Sequence, residues 1–199
     1  MKILVIFVLL LVNIPLFGQQ FSEEIRQHRQ KYQEEFLKSK DSPLTKENIT
    51  FLRFFEPDST YRVACTFQPS KKGKPFELPT SSGKTKTYVK FGELHFMLHG
   101  NKQKLSVYQS LSLRLIPQYR DYLFIPFKDL SNGQESYGGG RYLDLRMNEI
   151  QGETIYLDFN KAYNPYCAYS EGYSCPIPPK ENHLKIAIKA GEMNFGQNH

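Results

Sequence analysis

The hydrophobic positions of this chain change period once. Phe21, Ile25, His28, Tyr32 and Phe36 recur at helical spacing, with Arg26, Gln27, Arg29, Gln30, Gln33 and Glu34 between them. That pattern predicts one amphipathic helix over 21–38. His28 lies within the apolar stripe and reads as a packing residue. Asp41-Ser42-Pro43 ends the helix, because proline has no amide hydrogen and disfavours a helical residue before it. Beyond Pro43 the period becomes two. Short alternating runs at 61–67, 87–91, 94–98, 104–108, 111–115, 122–127, 155–159 and 184–188 are separated by Gly, Pro, Asn or Ser. Such runs leave no room for crossover helices. They predict a mainly β fold, an antiparallel β sandwich or barrel with one N-terminal α-helix.

The first residues obey neither period. Met1-Lys2 precedes an unbroken apolar run over 3–12 and a polar boundary ending at Gly18-Gln19. One basic residue, a short apolar core and a small residue at a boundary are the parts of a secretory signal peptide. The run is shorter than the roughly 20 apolar residues that a permanent spanning helix needs. We therefore expect a leader over 1–19, cleaved after Gly18 or Gln19. A single β-rich domain over 20–199 would follow, exported to the periplasm or the medium, with no transmembrane segment.

Composition narrows the class. Fifteen Phe and thirteen Tyr in 199 residues exclude a disordered chain, and three Cys allow at most one internal bridge. The formal charge of +6 is concentrated: eight Lys against Glu77 and Glu93 lie between Lys71 and Lys104. Lysines without arginine are poor at bidentate phosphate recognition, so the segment reads as solvent-facing strand positions and not a nucleic-acid site. His95 and His99 would share a helix face, but four residues of strand span about 13 Å, too far for one metal ion. No metal and no cofactor is assigned. Cys65 falls on the apolar side of its run and reads as a buried, inert thiol.

The chemistry gathers in three polar strings of the last third. Tyr137-Gly-Gly-Gly-Arg141-Tyr-Leu-Asp144 lacks the Lys-Ser/Thr of a phosphate loop, so its glycines read as a bulge or a close chain approach before a strand. Arg141 and Asp144, three apart on a strand, point to opposite faces. Each then needs another partner, which Asp158, Asn160, Asn164 or Glu181 could supply. Cys167 and Cys175 enclose a Tyr- and Pro-rich loop. A disulfide is the simplest reading in an oxidising compartment, with two thiols or a metal site as the alternatives.

These strings, together with 158–169, Cys175-Pro-Ile-Pro-Pro-Lys-Glu-Asn182 and Ala190-Gly-Glu192, resemble the signature of the bacterial family known as domain of unknown function 1684. The resemblance reaches weakly upstream to Gly92-Glu93-Leu94, Ser42-Pro43-Leu44 and the helix. It implies membership and no activity.

Three functions fit these residues. A binding module would set Tyr163, Tyr166 and Tyr169 around Arg141, Asp144, Asn160 and Asn164 for a small polar ligand such as a sugar or an amino acid. Asp158, Glu181 and Asn182 complete that candidate set. A hydrolase would use Asp144, Asp158 and Glu181 as paired carboxylates. In a structural reading the same side chains cap loops and bury Arg141 in an ion pair. With no nucleophile–base pair or metal set legible, binding or structure is expected ahead of catalysis. All site assignments presuppose that the three strings meet in one depression.

Overall fold

A computed structural model describes residues 15–71, 73–150 and 155–196. One helix, α1 (Pro15–Lys38), precedes seven strands: β1 (Arg62–Pro69), β2 (Phe76–Pro79), β3 (Thr85–Leu98), β4 (Asn101–Ser110), β5 (Tyr122–Phe127), β6 (Arg141–Arg146) and β7 (Ile155–Asp158). They form one antiparallel sheet in the order β6-β5-β4-β3-β1-β7, with β2 on β3.

The alternation seen in the sequence explains the core. On β3, Leu94, Phe96 and Leu98 are buried, while His95 and Met97 turn outward. Leu105 and Val107 of β4, and Leu123 and Ile125 of β5, continue the same face. Leu143 and Leu145 of β6 share that core with Ile155 and Leu157 of β7, although these strands are the two ends of the strand order. In a flat sheet of six strands the ends would lie roughly 24 Å apart at the usual strand spacing. The sheet is therefore curled into a half-barrel.

Several sequence expectations change. The helix begins at Pro15, upstream of 21, and runs through the expected cleavage boundary at 18–19; residues 1–14 of the expected leader lie outside the described residues. Runs 87–91 and 94–98 join into β3, with the register slipping between Lys90 and Gly92. The run 111–115 is not a strand. It ends in a single 3-10 turn (Leu113–Leu115), and a second follows at Pro117–Tyr119, where proline cannot donate to a ladder. Nor is 184–188 a strand: Leu184 and Ile188 pack in the core, but the Ile188 carbonyl accepts from Arg141 and not from a neighbouring strand. Strand β2 escapes the pattern because it is four residues long and ends at Pro79.

Cys167 and Cys175 form a disulfide with Cα atoms 6.3 Å apart. It closes the loop that carries Tyr169 and Tyr173, and the Tyr173 ring meets that of Tyr166, just before the bridge, edge to face at 5.2 Å. Cys65 is buried and free, and burial pushes its thiol up to about 12. A loop of this size should contribute roughly 2–3 kcal/mol, so Cys167→Ser/Cys175→Ser is expected to melt about 5–10 °C lower. Calorimetry of the double variant checks this. An unchanged melting temperature would mean that the bridge does not hold the loop.

Candidate functional site

The face of β5 and β6 turned away from the half-barrel core carries Phe124, Tyr142 and Asp144. Side chains of α1, among them His28, Arg29, Tyr32 and Phe36, supply a facing wall, and the loop after β7 supplies Tyr163 and Tyr166. Between them lies a cavity of about 1300 Å³.

Asp144 sits against this cavity with solvent reaching its side chain, although protein surrounds it closely. The Tyr122 hydroxyl donates to its Oδ1 at 2.6 Å, and the Tyr163 hydroxyl lies 2.9 Å from Oδ1 and 3.0 Å from Oδ2. Tyr122 arrives by register: Phe124 pairs with Asp144, which makes Tyr122 its diagonal neighbour. Tyr163 arrives through a pair of backbone hydrogen bonds with Tyr142, at 2.9 and 3.0 Å.

Desolvation by the surrounding protein raises Asp144 to about 6, against the two phenol hydrogen bonds and the nearby Arg146, which favour the charged form. Burial first, and the Asp144 charge second, hold Tyr122 and Tyr163 well above the ordinary phenol range. These phenols are donors, not bases. A carboxylate offers about four acceptor positions. The two phenols leave room for a donor brought by a ligand.

The other sequence candidates divide. Asp158, Asn160, Tyr163 and Tyr166 line the same cavity as Asp144. Asp158 Oδ1 caps the turn at the Asn160 amide, and Asn160 bonds both ways with the Asp58 backbone at 2.9 and 2.8 Å. Arg141 is fully buried. Its partner is Asp129, at 2.9 Å, and not Asp158, Asn160, Asn164 or Glu181. The guanidinium also donates to the carbonyls of Ile188, Ala190 and Glu192, at 2.8, 2.6 and 3.1 Å. Asn182 holds the chain to β4 and β5 through Ser106 and Pro126. Asn164 and Tyr169 are buried around Glu192.

Glu181 is elsewhere. It accepts from Tyr108 and Ser106 and lines a separate hollow of about 310 Å³ with His95, Lys104 and His183. All three strings do reach the cavity beside Asp144, the third through Cys175 and Pro176, but Arg141, Asn164, Tyr169, Glu181 and Asn182 do not line it, and a carboxylate set of Asp144, Asp158 and Glu181 is not assembled. Strand geometry separates them: Arg141 and Asp144 face opposite sides of β6, and Lys180–Asn182 packs on β4.

Three participants were not legible. Tyr122 and Tyr88 sit in runs that read as plain strand, and only cross-strand register brings them near Asp144. Glu192 only ends a polar string in the sequence, where nothing marks a role for it. It is fully buried, accepting from Tyr169 at 2.7 Å, Tyr32 at 3.1 Å and the Asn164 amide at 2.9 Å. Burial raises it to about 7. Gly191 makes this placement possible: its φ is +78°, and an added Cβ would come within 2.6 Å of the Ala162 carbonyl. Tyr32, in turn, rests 6.0 Å from the Tyr163 ring.

Comparison with known proteins agrees with the sequence signature. A family described as a protein of unknown function, DUF1684, matches residues 47–193. An uncharacterised protein of Haloarcula marismortui, solved in solution by NMR, is 34% identical over 88% of this chain and 95% of its own, with a TM-score of 0.67. No curated protein matches.

Proposed function

The chain belongs to the DUF1684 family, and on that premise we propose that it is an exported binding domain that holds a small polar ligand in the cavity beside Asp144. The observation that carries this reading is the carboxylate, open to solvent on one side and fixed by two phenols on the other. A sugar hydroxyl or an amino-acid ammonium would donate to the remaining acceptor position, with the Tyr and Phe side chains around it covering the apolar part. The apolar leader supports export. Hydrolysis by paired carboxylates has less support, because Glu181 lies outside this cavity and Asp158, which shares it, is buried as the cap of the turn at Asn160.

The ligand contact should follow the charge of Asp144. A donor favours the carboxylate form, so affinity is expected to be full above pH 7 and to fall as pH drops through about 6. Thermal-shift screening with monosaccharides and amino acids finds the ligand, and calorimetric titration measures it. Asp144→Asn should weaken binding by roughly tenfold or more, the scale of one charge-assisted hydrogen bond, while melting near the parent. A ligand held equally by Asp144→Asn, or a screen in which no compound of either class binds, would overturn the reading.

A further inference from the structure

We propose that the lip formed by residues 113–120 docks the mouth of this cavity onto an anionic lipid surface. Leu115 is 76% exposed, more than any other large apolar side chain among the described residues, and Ile116 and Tyr119 stand beside it at 42% and 43%. Such side chains usually fold inward, but here the backbone holds them out. Two single-turn 3-10 helices close on Ile116 N–H···O Leu113 at 2.9 Å and Tyr119 N–H···O Ile116 at 2.9 Å. The lip is pinned from below by Gln109 donating to the Arg120 carbonyl and Arg146 donating to the Gln118 carbonyl, each at 2.9 Å. The tip is therefore a fixed apolar prominence.

Its charge says what covers it. Arg114 and Arg120 flank the apolar tip, and no acidic residue occurs from Leu111 to Arg120. The next one, Asp121, is paired with Arg146 at 2.8 Å. Two aliphatic side chains between arginines, with a tyrosine at their edge, match a bilayer interface: chains enter the acyl boundary, the phenol stays at headgroup level and the guanidinium groups meet phosphate. A second copy of this chain fits poorly, since a two-fold contact at the tip would bring the arginines of both copies together. Leu113 and Tyr119 also line the cavity, so the docked lip would set the cavity opening at the membrane surface. The proposal does not depend on the role of Asp144.

Flotation with phosphatidylcholine vesicles, with and without phosphatidylglycerol, tests it. The purified protein is expected to float with the anionic vesicles and little with the neutral ones, and to be released by salt. Arg114→Gln/Arg120→Gln should lower the bound fraction roughly fivefold for each arginine removed. Leu115→Ser/Ile116→Ser should lower it roughly tenfold or more. These side chains are exposed, so both variants should melt with the parent, which separates lost docking from lost folding. If the parent fails to float with anionic vesicles, or the Leu115→Ser/Ile116→Ser protein floats equally well, the proposal is wrong. It is also wrong if the parent is a dimer that does not float and this variant makes it monomeric.

Discussion

Arg141→Ala is expected to lower the melting temperature by roughly 6–20 °C, the consequence of about 3–5 kcal/mol lost when one partner of a buried ion pair is removed. The guanidinium and the Asp129 carboxylate are both fully shielded from water. Asp129 is bound in turn by the Ser131 hydroxyl at 2.6 Å and the Ile188 amide at 3.0 Å. Removing Arg141 strands that carboxylate and takes its donor from three carbonyls of the C-terminal segment, of which, among the described residues, only that of Ile188 keeps a second, the Ser131 hydroxyl. It also loosens 188–192, the segment that delivers Glu192. Asp144→Ala supplies the contrast, because its carboxylate is reached by solvent and should cost little stability. Thermal denaturation of the two proteins side by side decides the matter. An Arg141→Ala protein that melts with the parent would show that this knot does not hold the tail.

Glu192 should make the fold less stable as pH rises. Burial raises its folded-state value from 4.5 to about 7, so the native protein binds the proton more tightly than the unfolded chain does. Stability is then highest below about pH 4.5, declines across the interval up to about 7 and stays low above it, the full difference being on the order of 3 kcal/mol. Asp144, raised to about 6, slopes the same way with a smaller effect because water reaches it. Glu93 and Glu34, whose values are lowered by lysine partners, slope the opposite way at lower pH. A difference measurement removes these backgrounds. Glu192→Gln should match the parent near pH 4 and exceed it by about 3 kcal/mol near pH 8, read by urea denaturation at both. A gap between the two proteins that is the same at both pH values would mean that Glu192 does not titrate in this interval.

Much of the fold could be read from local pattern. The two-residue period over 61–67 and 94–98 turns the same side chains toward the core as the structure does, because a strand must turn alternate residues to opposite faces. The same rule correctly opposed Arg141 to Asp144. It failed at 184–188, where alternating burial arises without a ladder because Arg141 satisfies a backbone carbonyl. It failed also at 111–115, where Pro117 follows and Leu115 is left in solvent.

The candidate site was legible only as a set of residue types. Asp144, Tyr163 and Tyr166 meet solvent at the cavity, whereas Arg141, Asp158, Asn160, Asn164, Tyr169 and Asn182, equally polar in the sequence, are buried. Sequence order cannot tell a buried polar residue from one that lines a cavity when each is flanked by similar neighbours. Tyr122 was missed for the complementary reason: its hydroxyl matters only because β5 pairs with β6 in one register.

By itself, then, the sequence determined the elements that follow from covalent geometry and side-chain alternation: a helix before Pro43, an antiparallel β domain after it, and the polar strings of the last third. Only the tertiary structure decided that Arg141 belongs to Asp129, that Glu181 stands apart, and that Tyr122 and Tyr163 meet at Asp144. Those pairings depend on strand register and on how far the sheet curls, and both are set by packing between residues distant along the chain.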